Sequence, residues 1–211
     1  MIKVELVDHM GTDLSVSNSA RVSFSMWKDE LEEGDTKLIN YLAKHEHTSP
    51  FRHTRITLRC EAPIWLARQL GKHQVSMDWN EVSRRYVDTG FEFFVPEYRE
   101  RPGGSIKQGS GARHPESRYW VNETNRLHDI ALSVYDAMIA DGVAPEQARG
   151  ILPQNMMTTW IWSGSLLGFF HLWRLRSDSH AQVEAQQFAE QVADICEQLF
   201  PISWTALKEA K

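Results

Sequence analysis

The sequence predicts a single α+β domain over residues 1–211, a mixed and mostly antiparallel sheet flanked by long helices. Three observations carry that expectation. Short stretches such as IKVELV and ITLRCE alternate apolar and polar residues, the period of half-buried strands. Longer segments repeat apolar residues at three- and four-residue steps, as helices with one inward face do. The chain has 211 residues, 42% of them hydrophobic, which is enough for one full core.

In chain order, IKVELV at 2–7 reads as a strand and 12–21 as a short capped helix. From Asp35, the residues Leu38, Ile39 and Leu42 keep helical spacing, and Pro50 closes that segment. In HTRITLRCEAP, Ile56, Leu58 and Cys60 alternate with Thr57, Arg59 and Glu61, giving a strand with one wet face. Pro63 opens the helix IWLARQL, because proline in a first turn gives up only an amide that lacks a partner there. FEFFV at 91–95 suggests a further strand. Residues 97–114 are rich in glycine and hold little that is apolar, the composition of a mobile surface loop. Leu127, Ile130, Ala131, Val134, Tyr135, Met138 and Ile139 then form one stripe on a long helix. Pro145 starts a short helix carrying Arg149, MMTTWIW reads as a strand, and LLGFFHLWRL as a buried helix. Ser179 is the expected cap of a last amphipathic helix whose inward face is Val183, Phe188, Val192, Ile195, Cys196 and Leu199.

A formal net charge of -5 argues against a general nucleic-acid binder, so any anion must be met by a local basic cluster. Steeply salt-dependent DNA binding would be the mark of the opposite case. Cys60 and Cys196 stand far apart inside apolar elements, with no metal-ligand spacing, and read as small buried hydrophobes. The N-terminus lacks the apolar core of a signal peptide and no run is long enough to span a bilayer, so a soluble, cytoplasmic protein is expected.

Three polar stretches need an explanation beyond packing. ARQLGKHQVSMDWNEVSRRY, 67–86, crowds cations with Gln69, Asn80, Glu81 and Ser83. Lys72, Arg84, Arg85 and Ser83 are the groups that hold a nucleotide phosphate, and Gln69 lies three residues before Lys72 and can reach the same ligand. A solvated charged loop paired with Asp78 and Glu81 remains the plain alternative. WRLRSDSHAQ, 173–182, places Arg174 and Arg176 after an almost wholly apolar helix, with at least one guanidinium expected at the mouth of a cavity. A helix C-terminus that favours cations also accounts for Arg174. KHEHTSPFRH, 44–53, has three histidines but no carboxylate at metal-ligand spacing and no HExxH, so no metal is expected there.

Gln69, Lys72-His73-Gln74, Asn80-Glu81-x-Ser83-x-Arg85-Tyr86 together resemble the signature of the flavin-dependent thymidylate synthases, the ThyX family, written RHRxxSxNExSxRY. ARVSF at 20–24, KHEHTSPF, API before the signature helix, ARGILP at 148–153 and LRSDSHAQ agree in order and spacing, so the resemblance covers nearly the whole chain. Lys72 and Gln74 stand where the signature has arginines, one extra residue precedes Asn80, and the motif's first serine is matched by Asp78 or Ser76.

The resemblance implies a ThyX-like fold and a homotetramer whose active sites are shared between subunits. It implies FAD as cofactor, with NADPH and methylenetetrahydrofolate as co-substrates, for the conversion of dUMP to dTMP without a cysteine nucleophile. It places Arg176 against the pyrimidine as the catalytic residue, favouring the N3-deprotonated uracil. Gln69, Lys72, Glu81, Ser83, Arg84, Arg85, Arg149 and Arg176 would surround dUMP. His47, Ser49, Lys72, His73, Gln74, Glu81, Ser165 and His171 would contact FAD. The rival expectation is a non-catalytic nucleotide-binding homologue in which the changes at Lys72 and Gln74 have cost the flavin chemistry.

Overall fold

The structure, a computed structural model, describes residues 1–103 and 109–210. Its centre is a four-stranded sheet of β1 (Lys3–Met10), β2 (Arg55–Pro63), β3 (Met77–Glu81) and β4 (Met157–Gly164). The strand order is β1-β2-β4-β3, and every neighbouring pair is antiparallel. The expected α+β architecture with a mostly antiparallel sheet holds, and among the described strands every pair is antiparallel; β3, which follows β2 in sequence, lies on the far side of β4.

The alternation in the sequence is the alternation of the sheet's two faces. Ile56, Leu58, Cys60 and Ala62 of β2 are buried on one face, beside Trp160 and Trp162 of β4, with Leu58 opposite Trp162 and Cys60 opposite Trp160. The other face carries Thr57, hydrogen-bonded to Ser163 at 2.9 Å, and Arg59, which reaches Glu5 at 3.0 Å. The apolar face is buried in a core shared with six helices. They are α1 (Asp13–Arg21), α2 (Glu33–Lys44), α3 (Ile64–Leu70), α6 (Leu166–Arg176), α7 (Val183–Leu199) and α8 (Pro201–Glu209). Phe188 of α7 stacks on Trp160 at 5.8 Å, and Phe169 of α6 meets Trp162 edge-on at 5.7 Å.

Polar contacts fix the helix entries. Ser165 caps α6, its hydroxyl accepting from the Gly168 N–H at 3.2 Å. The buried Asp13 carboxylate accepts from the Ile202 and Ser203 amides at 3.0 and 2.8 Å, so it caps α8 from the opposite end of the chain. Arg21, within the ARVSF stretch, makes a buried ion pair with Asp35 at the start of α2.

Several expectations are corrected. FEFFV does not form a strand of the sheet: it makes one isolated bridge, Phe93 to Met156. Its rings turn elsewhere, Phe91 to Tyr135, Phe93 onto His128 and Phe94 to Trp65, and so glue the long helix α4 (Ser117–Ala140) to the body. The stripe on α4 lies mainly at the surface, with Leu127, Ile130 and Val134 about half exposed, and only Ser117, His128 and Tyr135 buried. A short α5 (Pro145–Ala148) follows, and Arg149 sits just beyond it in a 3-10 turn. The amphipathic helix expected to be last is α7, which begins at Val183 with Gln182 as its cap, not Ser179, and is followed by α8. The ends of the 97–114 segment are tied together, Glu100 N–H to Ala112 O at 2.8 Å and Gly111 N–H to Glu100 O at 2.9 Å. The expected mobility at its tip concerns 104–108, outside the described residues.

Candidate active site

The helix α3 and the strand β3 are joined by a tight turn in which Ser76 adopts a left-handed φ of 60°. The strand β3 pairs with β4 in unbroken register from Met77 opposite Gly164 to Glu81 opposite Trp160. No bulge accommodates the extra residue of the signature, which fits instead in this turn. Residues 77–81 bury the Met77 and Trp79 side while Asp78 and Asn80 point outward. Trp79 stacks on Trp160 at 4.3 Å, so it is anchored in the core rather than held out for a ligand.

One end of this unit meets the end of α6. There Arg176 is half-buried, its Nε–H donating to His73 Nε2 at 3.1 Å and its Nη2 to the Gln69 backbone oxygen at 3.3 Å. Burial lowers the guanidinium's pKa from its ordinary value, yet an arginine stays charged at any physiological pH. Burial pulls His73 down to about 4, with the charges of Arg176 and His171 adding to it. His171 is also lowered, by burial and by Arg174. The two imidazoles are thus neutral beside a permanent cation.

Arg176 lines a cleft of about 820 Å³ with Gln69, Arg174, Asp178, His180 and Gln182. Its far wall is the stem of the 97–114 segment, from Glu97 to Arg99 and from Gly109 to Ser110. Tyr98 is bound to α4 through Ser117 Oγ at 3.0 Å, and Arg99 to the buried Glu184 of α7 at 3.0 Å. Gln69 lines this cleft, and its side-chain oxygen is buried without a hydrogen-bond partner. An unpaired buried acceptor costs roughly 1–3 kcal/mol, and a rotation of the side chain into the cleft would let a ligand donor relieve it.

The remaining expected residues are distributed more widely. Lys72 and Gln74 are exposed on the turn, beside His73. Glu81 accepts from Thr158 Oγ1 at 2.7 Å and from Trp79 Nε1 at 3.2 Å. The Ser83 hydroxyl accepts from the Arg85 amide at 3.3 Å, and Arg85 is exposed over the Tyr86 ring. Arg84 points into a second, smaller cleft, where its Nη1 donates to Thr89 O at 3.1 Å and its guanidinium lies 4.7 Å from the Phe91 ring. Arg149 is exposed on its 3-10 turn. His47 and Ser49 are exposed beside a short 3-10 turn (Ser49–Arg52) that packs against α6. Ser165 is buried and its hydroxyl is engaged in capping α6. Within one chain the structure therefore gathers Gln69, His73, His171 and Arg176, and leaves Lys72, Arg85 and Arg149 at the surface. Sequence reasoning missed Tyr98, Arg99 and Glu184 as cleft residues; the only signal was an arginine and an aromatic inside an otherwise glycine-rich segment.

A family model described as "Thymidylate synthase complementing protein" matches residues 5–202. The flavin-dependent thymidylate synthase of Thermus thermophilus is 36% identical over 207 residues, covering 98% of this chain and 75% of the relative. The chain belongs to the flavin-dependent thymidylate synthase family. The member from Thermotoga neapolitana is 37% identical over 203 residues, covering 96% of this chain and 88% of the relative. Among solved structures, the UMP/dUMP methylase PolB from Streptomyces cacaoi, bound with 5-Br dUMP, superposes with a TM-score of 0.89 at 30% identity, over 99% of this chain and 95% of that one. Its complex with 5-Br UMP gives 0.90 at 28% identity. A ThyX-like α+β fold is thus established for this family member, as is a methyltransferase class of enzyme.

The residues present suit the family's flavin and nucleotide. Burial raises the thiol pKa of both Cys60 and Cys196 well above the ordinary range, so neither offers a thiolate nucleophile. The exposed Lys72 and Gln74, with the neutral His73 and His171 behind them, form a donor and acceptor set able to meet a pyrophosphate and a heteroaromatic ring. Among the described residues, no helix is long and apolar enough to cross a membrane.

Proposed function

We propose that this chain is a flavin-dependent thymidylate synthase that converts dUMP to dTMP, with methylenetetrahydrofolate as one-carbon donor and NADPH-reduced FAD as hydride source. The observation that carries the reading is one cleft lined by a half-dry and fixed Arg176 and by Gln69, whose side-chain oxygen has no partner. A uracil nucleotide complements both. A ribose hydroxyl donates to Gln69, while the guanidinium stabilises the negative charge of the N3-deprotonated ring in a site partly closed to water. A preformed cation is strongest there, because it needs no reorganisation as charge develops.

Arg176 is the catalytic residue of this reading. Gln69, Lys72, Glu81, Ser83, Arg84, Arg85 and Arg149 contact dUMP, the basic members at its phosphate. Lys72 and Arg149 lie exposed and do not line the cleft of their own chain, and in this reading they reach the nucleotide where sites are built between subunits of a homotetramer. His47, Ser49, Lys72, His73, Gln74, Glu81 and His171 hold FAD, which supplies the hydride when bound. Ser165 acts through the helix it caps, orienting His171 on α6. Lysine offers a point charge where the signature has a planar fork, and glutamine offers none, so Lys72 and Gln74 bind the flavin phosphates less tightly than arginines do.

The test is direct. The purified protein is incubated with FAD, NADPH, methylenetetrahydrofolate and dUMP, and dTMP is measured by chromatography, with UMP in parallel because PolB is a UMP/dUMP methylase. Flavin uptake, a flavin spectrum perturbed by dUMP, and dTMP formation are expected. A protein that stays colourless with FAD and makes no methylated nucleotide would leave only the non-catalytic alternative.

A further inference from the structure

We infer that His73 is a positioning residue for Arg176, a neutral hydrogen-bond acceptor that aims the guanidinium at the cleft without cancelling its charge. This rests on the functional reading above and assigns His73 a task separate from its flavin contact.

Arg176 is the last residue of α6, where a helix frays and a long side chain has many rotamers. Two bonds remove that freedom. Nε and Nη2 form the side-on edge of the guanidinium, and this edge is occupied by His73 Nε2 and the Gln69 carbonyl. Nη1 and the outer hydrogen of Nη2 remain for whatever fills the cleft that Arg176 lines. The planar fork means that fixing one edge fixes the direction of the other.

The acceptor's chemistry matters as much as its position. An arginine Nε always carries its hydrogen, so His73 Nε2 must be the lone-pair nitrogen and its proton must sit on Nδ1. The groups that face His73 are Arg176 and His171 of α6, with Arg174 behind His171; the Arg176 charge opposes a proton on His73, Arg174 opposes one on His171, and the two imidazoles oppose each other's protonation. A carboxylate in the same place would hold the guanidinium as firmly, but it would neutralise the charge that the substrate anion needs. An imidazole orients the cation and leaves it a cation.

The experiment uses full-length protein loaded with FAD, with flavin occupancy set from absorbance so that turnover is per loaded site. The His73→Leu variant removes the acceptor, and its kcat is expected to fall about 10- to 100-fold, the effect of losing one hydrogen bond to a charged group, with a smaller change in KM for dUMP. The His73→Gln variant supplies a neutral carbonyl acceptor and is expected to recover most of that rate. The His73→Glu variant keeps the bond but cancels the charge, and its kcat is expected to stay low. A second readout needs no turnover: 15N-histidine spectra at neutral pH, with His73 assigned by its loss in the Gln variant, should show the Nδ1–H tautomer. A flavin-loaded Leu variant turning over at the wild-type rate would overturn the proposal, as would a proton on Nε2. If the wild type makes no dTMP, the functional reading falls, and the tautomer still decides the role of His73.

Discussion

Replacing Asp35 by asparagine should unfold this protein more readily by an amount the structure sets. Asp35 is fully buried and its carboxylate receives Arg21, which also donates to Ser17 at 3.1 Å, and the Glu32 amide at 2.8 Å. Burial alone would raise its pKa, but the hydrogen bonds from Ser17 and the Glu32 amide, and the Arg21 guanidinium, outweigh that and hold it at about 2 against an ordinary 3.8. That gap corresponds to roughly 2.5 kcal/mol of folded-state preference for the charged form. The full loss in the Asp35→Asn variant is larger, roughly 3–5 kcal/mol, because Arg21 is left buried without a counter-charge. The melting temperature should fall on the order of 10 °C for a chain of this size. The pH dependence has a definite sign. A depressed carboxyl pKa stabilises above the unfolded value and ceases to as pH falls through the folded one, so about half of the 2.5 kcal/mol is gone by pH 3. Urea denaturation of wild type and variant at pH 7 and pH 3 should therefore show a gap that narrows by roughly 1 kcal/mol. A variant as stable as wild type at pH 7, or a gap of unchanged size at pH 3, would refute the reasoning.

The other expectations concern the site. The Arg176→Ala variant should lose dTMP formation by about 10²- to 10³-fold, the scale of removing one preorganised donor, while still taking up FAD by absorbance; normal turnover would remove Arg176 from its role. The Arg85→Ala variant should weaken dUMP binding by about tenfold or more with little change in flavin content, measured by spectral titration; unchanged affinity would mean that the phosphate sits elsewhere. A Cys60→Ala, Cys196→Ala double variant should be less stable, since both side chains are buried, yet should make dTMP at close to the wild-type rate. Loss of turnover in a folded double variant would point to a thiol nucleophile.

Much of the fold was legible because burial and period coincide. β2 alternates in sequence as it does in exposure, and Pro63, Thr12 and Pro145 mark element starts that the structure keeps. β3 was not legible: in MDWNE only Met77 and Trp79 face inward, and the surrounding charges hide a five-residue alternation. FEFFV misled in the opposite direction, since aromatic residues favour strands but here serve as wedges between α3 and α4. Ser179 looked like a cap, but Asp178 accepts from the His180 amide at 2.8 Å and closes a turn, delaying α7 until Val183. The site was legible where a motif residue meets another in the same chain, as Gln69, His73 and Arg176 do. Lys72, Arg85 and Arg149 carry a motif signal too, but within this chain they stand exposed and do not line the Arg176 cleft, so no contact between them draws the site together. The cleft wall at Tyr98 and Arg99 depends on a long-range pairing with α4 and α7 that no local pattern announces.

The stacked indoles of Trp79 and Trp160 give the signature strand an optical identity of its own. Trp79 sits two residues before Glu81 and donates to its carboxylate, so a ligand that repositions Glu81 also disturbs a coupled pair of fluorophores. Flavin absorbs where tryptophan emits, and energy would pass from this pair to an isoalloxazine ring nearby. If the proposed site holds, cofactor and nucleotide should each change tryptophan emission, and a Trp79→Phe variant would separate this pair's share from that of the protein's other indoles.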